Sequence, residues 1–298
     1  MTLEQLRIFV GVAEREHMTR AAEALNVTQS AASAAIAALE ARHGVPLFHR
    51  VGRGIELSEA GRMFLVDARA VLGRAASAEL ALAEYAGLER GTLRLVASQT
   101  IAGYWLPRQL AAFHARYPSI TIELAIDNTE GAAARVLDGA VELGFVEGVI
   151  DEPALAHWTV ANDRMVLVSD RAADTIDEDW IRAARWIVRE QGSGTRSSFE
   201  EVLRQRGIDP SGLTTALTLP SNEAVRSAVE AGAGVAVLSQ HVVAPAIAAG
   251  TLHDLPLGLP LGLPLGLPRR PFYALRHKER YRTRAADALT DLIKETGK

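Results

Sequence analysis

The sequence predicts an α/β fold of two subdomains behind a small all-α N-terminal domain, and three features of its patterning predict it. Up to Ser58, apolar residues recur at helical spacing behind short polar residues that suit helix starts. From Glu59 to Ala86 no proline breaks a single helical pattern. Beyond Gly91, short apolar strands alternate with helices to the end of the chain. The expected division is a first domain over residues 1–58, a linker helix over 59–89 and a larger domain over 90–298.

Composition narrows the function classes. At 298 residues, with 48% hydrophobic and 23% charged residues, the chain reads as an ordinary soluble globular protein. No window holds the ~18 unbroken apolar residues of a membrane helix. The start, "MTLEQLRIFVGVAERE", lacks the basic region and small-residue cleavage site of a secretion signal, so a cytoplasmic address is expected. There is no cysteine, which excludes disulfides, thiolate metal sites, a nucleophilic thiol and thiol redox sensing. The net charge of −4 does not favour nucleic acid, and in residues 1–60 six arginines against seven glutamates leave −1. From Ala41 to Ile55, however, Arg42, His43, His49, Arg50 and Arg53 occur without one acid, a local basic patch.

Leu3, Leu6, Phe9, Val10 and Ala13 make one amphipathic helix. A second has Ala21, Ala22 and Leu25 inward, with Thr19 as its expected cap. A third, capped by Thr28, runs through Gln29, Ala32, Ala35, Ile36 and Leu39 and ends at Gly44. The tight connection between the last two is the helix-turn-helix plan. "GVPLFHRVGRGIELSEAG" then reads as strand, glycine-flanked turn and return strand, a wing carrying Arg50 and Arg53. Small residues in "SAASAAIAALEA" would let the backbone approach a major groove ~12 Å wide, with Gln29, Ser30 and Ser33 meeting base edges and phosphates. Composition alone leaves the alternative open, a helix rich in alanine because alanine favours helices.

The order Thr19, Ala21-Ala22, Leu25, "VTQSAAS", Ile36, Leu39-Glu40, Gly44, "PLFHR", Arg53, Leu57-Ser58 and Gly61 resembles the N-terminal signature of LysR-type transcriptional regulators. The resemblance implies a winged helix-turn-helix that binds double-stranded operator DNA. It makes Gln29, Ser30 and Ser33 base and phosphate contacts, Thr28 a backbone contact, and Arg50 and Arg53 wing contacts. Many members carry a basic or long polar residue where this chain has Ala34 and Ala35, so fewer direct contacts and more dependence on wing and DNA shape are expected.

Along the linker, Phe64, Ala68, Val71, Ala75, Ala78, Leu82 and Tyr85 form a narrow apolar stripe. It packs either on its own domain or in a coiled-coil-like antiparallel dimer. The resemblance implies the dimer, and an assembly of two or four chains.

In the larger domain "TLRLVAS", "ITIELAI", "VELGFVEG", "DRMVLVSD", "WIVRE", "TTALTL", "VAVLS" and "PFYALRH" read as strands. Two α/β halves joined by crossing strands would form a cleft, similar to the effector domain of LysR-type regulators and to periplasmic solute-binding proteins. Candidate ligand groups follow strand ends: Ser98, Gln99 and Thr100 in one corner; Gly192, Ser193, Gly194, Thr195 and Arg196 in another. Both corners offer backbone N–H groups, hydroxyls and a positive helix end to an anion. A small carboxylate or an inorganic oxyanion is therefore the expected effector. The plainer alternative is that the glycines shape a turn and Ser193 caps a helix. Thr129, Ser221, Asn222 and Glu223 read first as capping segments; the corresponding corners of the family keep Thr129, Ser221 and Glu223 as effector candidates.

No cofactor is expected. His114, His157, His241, His253 and His277 have no metal-ligand spacing, "GSGTR" lacks the ending of a phosphate-binding P-loop, and no serine elbow or placed acid pair marks an enzyme. "LPLG" occurs three times from Leu255 to Gly266, which rules out a regular helix and suggests a lengthened extended loop before the last strand. The rival to a regulator is a cytoplasmic small-molecule binding protein whose N-terminal helices only mediate assembly; an enzyme comes third.

Overall fold

Thr2 starts the first helix of the computed structural model with a reciprocal cap. The Gln5 amide donates to Thr2 Oγ1 (3.2 Å), and the Thr2 amide donates to Gln5 Oε1 (2.9 Å). The structure describes residues 1–51, 54–85, 91–148, 150–173, 176–256, 267 and 269–296. They fall into two compact units, one built on the first four helices and the other carrying everything from residue 91 on apart from a short stretch near residue 138.

The N-terminal unit contains α1 (Leu3–Arg15), α2 (Met18–Ala24), α3 (Gln29–His43), a hairpin of β1 (Phe48–Val51) and β2 (Gly54–Leu57), and α4 (Glu59–Tyr85). Leu6, Phe9, Val12, Ala21, Ala22, Ala32, Ile36, Leu39 and Ala68 form its core. Phe9 is the centre, 5.6 Å from the Phe48 ring and 4.9 Å from Phe64. The expected cap of α2 is corrected: Thr19 lies inside the helix, and His17 caps it by accepting from the Arg20 amide. Helix α3 starts as expected on Thr28 and stops at Gly44, whose φ of 67° is the left-handed conformation that ends helices.

Several residues of the family signature hold the hairpin rather than face outward. Glu40 Oε1 accepts from the amides of Leu47 (2.7 Å) and Phe48 (3.2 Å). Ser58 Oγ donates to the Pro46 carbonyl (2.7 Å) and accepts from the Gly61 amide (2.9 Å). A Cβ on Gly61 would lie 2.1 Å from the Leu47 carbonyl oxygen, so no other residue lets α4 start this close to the wing.

The second unit contains β3 (Gly91–Ser98), a π-helical turn (Ile101–Trp105), α5 (Leu106–Arg116), β4 (Ile120–Asp127), α6 (Thr129–Asp138), β5 (Leu143–Glu147) and the long β6 (Leu155–Ser169). It continues with α7 (Glu178–Ala183), β7 (Arg185–Arg189), α8 (Gly194–Gln205), β8 (Thr214–Leu219), α9 (Asn222–Glu230), β9 (Ala236–Ser239), α10 (Gln240–Ala248), β10 (His253–Leu255), β11 (Arg269–His277) and α11 (Arg284–Thr296). β6 begins well before the expected "DRMVLVSD". Its first ten residues, Leu155–Arg164, pair with β11, and Met165–Ser169 pair with β9 and β10. One strand thus runs through both halves.

On one side β4, β3, β5 and β11 surround a core of Leu93, Leu95, Phe113, Phe145, Phe272 and Leu289. On the other, Trp186, Phe199, Leu203 and Val237 form one cluster and Val168, Val229, Leu238 and Val242 a second. β7 and β8 pair in parallel, with Val235 bridging to Trp186. The mixed α/β architecture with its N-terminal helical domain is the expected one. The LPLG repeat lies outside the described residues beyond Pro256.

Candidate nucleic-acid interface and effector site

Helix α3 turns Ala32, Ile36 and Leu39 to the core. The helical period then places Ser30, Ala34, Ala37 and Ala41 diametrically opposite, and all four are exposed. Gln29 and Ser33 are exposed on the flank beside them. Thr28 is also exposed; its Oγ1 accepts from the Ala31 amide (3.2 Å) and lies 3.0 Å from Ser30 Oγ. Of the two alanines that follow Ser33, Ala34 faces outward, whereas Ala35 packs against the core. Arg50 is exposed on β1, opposite Ile55 in the hairpin register. Arg53 falls outside the described residues.

In the second unit the candidate effector residues come together, through partners that sequence reasoning missed. The Gln99 side-chain amide clasps the chain ahead of α9: Nε2 donates to the Pro220 carbonyl (2.9 Å) and Oε1 accepts from the Asn222 amide (3.0 Å). Thr100 Oγ1 accepts from Asn222 Nδ2 (3.0 Å), and Asn222 Oδ1 accepts from the buried Arg189. Arg189 also holds Glu190 through Nε (2.7 Å) and Nη2 (2.9 Å). Ser221 caps α9 by accepting from Ala224 (3.0 Å). Glu223 accepts from Tyr104 Oη (3.2 Å); burial, and then the Glu223 charge, push the Tyr104 phenol above its usual range.

The glycine-flanked corner differs from expectation in three respects. Thr129 does not cap α6: it is the first helical residue, its Oγ1 donates to the Glu147 carbonyl (2.6 Å), and Asn128 Oδ1 accepts from Gly131 instead (2.9 Å). Ser193 occupies the cap position of α8 but is buried and makes no side-chain capping bond. Arg196 leaves the corner, its Nε donating to Glu200 (2.7 Å) and Nη1 to the Arg189 carbonyl (3.2 Å). Gly192, at φ 81°, makes the turn. A Cβ on Gly194 would lie 2.0 Å from the Glu147 carbonyl oxygen, so glycine alone lets α8 start against the end of β5.

Beneath this corner lies a buried charge cluster. Arg270 (5% exposed) donates through Nε to Asp163 Oδ2 (2.8 Å) and through Nη1 to Thr195 Oγ1 (3.2 Å), and Nη1 is 3.5 Å from Glu147 Oε1. Its Nη2 is also 2.8 Å from Asp163 Oδ2, but in an orientation that directs no N–H at an acceptor. Asp163 accepts from Ser239 Oγ (2.8 Å), and Glu147 accepts from Ser98 Oγ. Two buried carboxylates thus share one guanidinium and each accept from one hydroxyl, while a third hydroxyl, that of Thr195, takes an N–H of the guanidinium. A readable signal exists in β11: Arg270 falls in the alternation that buries Phe272 and Ala274, and a charge on a core phase demands a partner.

Residues 3–62 match the family described as "Bacterial regulatory helix-turn-helix protein, lysR family", and residues 86–298 match "LysR substrate binding domain". The chain belongs to the LysR family. It is 33% identical over 295 residues to the uncharacterized HTH-type transcriptional regulator YeiE of Escherichia coli K12, covering 98% of this chain and 96% of the relative. The full-length LysR regulator CbnR bound to its target DNA superposes with a TM-score of 0.67 at 23% identity, covering 99% of this chain and 100% of CbnR, a likeness of fold. The CcmR regulatory domain of Synechocystis PCC6803 in complex with 2-PG gives 0.61 at 25% identity, over 70% of this chain and 98% of CcmR. The protein is therefore a LysR-type transcriptional regulator with an effector-binding domain, not an enzyme. Among the described residues no helix is long and apolar enough to cross a membrane, and no group of three His, Asp or Glu is placed to hold a metal.

Proposed function

We propose that α3 reads operator DNA with Gln29, Ser30 and Ser33 while Thr28, Arg50 and Arg53 contact the backbone. The observation that carries this reading is the outer face of α3: capped, exposed and free of bulk, it leaves the first turn open to base edges. We divide the chain into a DNA-binding domain (1–58), a linker (59–89) and an effector domain (90–298). The linker joins two chains in a homodimer, which stands alone or pairs with a second in a homotetramer. Met63, Val66, Val71 and Leu82 on α4 are exposed apolar residues that such a partner would cover.

The effector is a small anion, a carboxylate or inorganic oxyanion. Helix α8 begins without a side-chain cap, its first-turn amides have no intrahelical acceptor, Thr129 Oγ1 lies against Gly194, and Thr195 Oγ1 accepts from the Arg270 guanidinium, which also approaches the Glu147 carboxylate that Ser98 bonds. CcmR, with its 2-PG, is a regulatory domain of this fold that takes a small molecule. Effector binding favours one arrangement of the oligomer and so alters its grip on DNA.

A gel shift with DNA upstream of the protein's own gene, at fixed salt, tests the first part. Retardation that is lost in the Gln29→Ala/Ser33→Ala double variant is expected; equal retardation of random DNA would overturn sequence-specific reading. A thermal-shift panel of sulfate, inorganic phosphate and small carboxylates tests the second, and stabilisation only by neutral or cationic compounds would overturn it.

A further inference from the structure

We propose that Glu147 is a built-in stand-in for the effector: its carboxylate occupies donors that the anion will take, and an arriving anion must displace it. This rests on the reading of the effector as anionic. The two carboxylates around Arg270 are not held alike. Asp163 has the Nε edge of the guanidinium at 2.8 Å, a second contact of 2.8 Å from Nη2 and the Ser239 hydroxyl at 2.8 Å. Glu147, only 2% exposed, has the Ser98 hydroxyl and a looser approach of 3.5 Å to Nη1. Asp163 is therefore the fixed counter-ion and Glu147 the exchangeable one.

Position supports the same conclusion. The Glu147 carbonyl is packed against Gly194 at the uncapped start of α8, and Thr195 shares Arg270 Nη1 with the Glu147 carboxylate. An anion on the first amides of α8 would compete for Nη1 and the Ser98 hydroxyl, the two groups now turned to the Glu147 carboxylate, beside the Thr195 hydroxyl that already accepts from Nη1. Two like charges cannot share that space in a low dielectric, so the side chain leaves as the ligand enters.

Exchange has a route to the rest of the domain. Ser98 Oγ accepts from the Ile101 amide (3.4 Å) at the start of the π-helical turn, and the intervening Gln99 and Thr100 grip Asn222 on α9. Freeing Ser98 from Glu147 thus loosens the end of β3 from which the clasp on α9 is held.

The test is calorimetry on the full-length protein with sulfate, inorganic phosphate and glycolate as probes. Glu147→Gln keeps the shape and removes the charge, and should bind at least one probe about tenfold or more tighter than wild type. Equal or weaker binding by Glu147→Gln, with wild type binding a probe, overturns the stand-in and leaves the anionic effector in place. Failure of all probes with both proteins overturns both readings. Should Glu147→Gln not fold, Glu147→Ala replaces it: added acetate, a free carboxylate, should raise its melting temperature and not that of wild type. No acetate-specific rise would overturn the proposal.

Discussion

The two units treat polarity in opposite ways. Among the described residues of α1 to α4, Ser58 is the one buried polar side chain, and the candidate DNA contacts stand on the surface of an apolar core. The second unit buries Glu147, Asp163, Arg189 and Arg270 together with Ser98, Thr100, Thr129, Ser193, Thr195, Asn222 and Ser239. A surface that reads a duplex needs rigidity beneath it. A site that encloses a small ligand must carry its donors inside and satisfy them when the ligand is away, and buried polar groups without partners are costly.

The sharpest way to break this contrast is Arg270→Met. Two buried carboxylates then lose their shared cation, and a loss of about 3–5 kcal/mol in urea unfolding is expected. A loss below ~1 kcal/mol would mean that water already screens the cluster. In the N-terminal unit, Gly61→Ala drives a methyl into the Leu47 carbonyl, and overpacking of about 1–3 kcal/mol should lower the melting temperature of that unit alone. Gln29→Ala should do the reverse: no change in melting, and a loss of about 1–3 kcal/mol in operator affinity confined to particular base substitutions. Arg50→Ala should weaken every sequence alike and reduce the salt slope by about one. The smallest effect compares two hydroxyl residues at helix starts. Thr28→Ala should cost about 1 kcal/mol because its hydroxyl caps α3. Ser193→Ala should cost only a few tenths by comparison, because no capping bond is lost at α8. Equal costs would erase the distinction.

Local chemistry made the N-terminal unit readable. Thr28 and Gly44 bound α3, and the core residues of α1 and α3 repeat at the helical period, so neighbours along the chain carry the information. Thr19 misled because a threonine is the usual cap, while His17, one residue ahead of α2, supplied a ring nitrogen instead. In the effector domain the corners at Ser98 and Gly192 were visible as strand ends followed by helix starts. Their partners were not: Glu147, Asp163 and Arg270 come from β5, β6 and β11, separated by many residues in the sequence.

By itself the sequence determined the element types, the helix-turn-helix with its wing, the long helix α4 and the family, because propensity, capping and periodicity act over a few residues. The tertiary structure alone decided which polar groups meet. Strand pairing brought Arg270 beside Asp163, and the close approach at Gly194 brought α8 beside Glu147. Burial then converted those meetings into a charge cluster, because a charge removed from water must find its counter-charge wherever the fold has placed it.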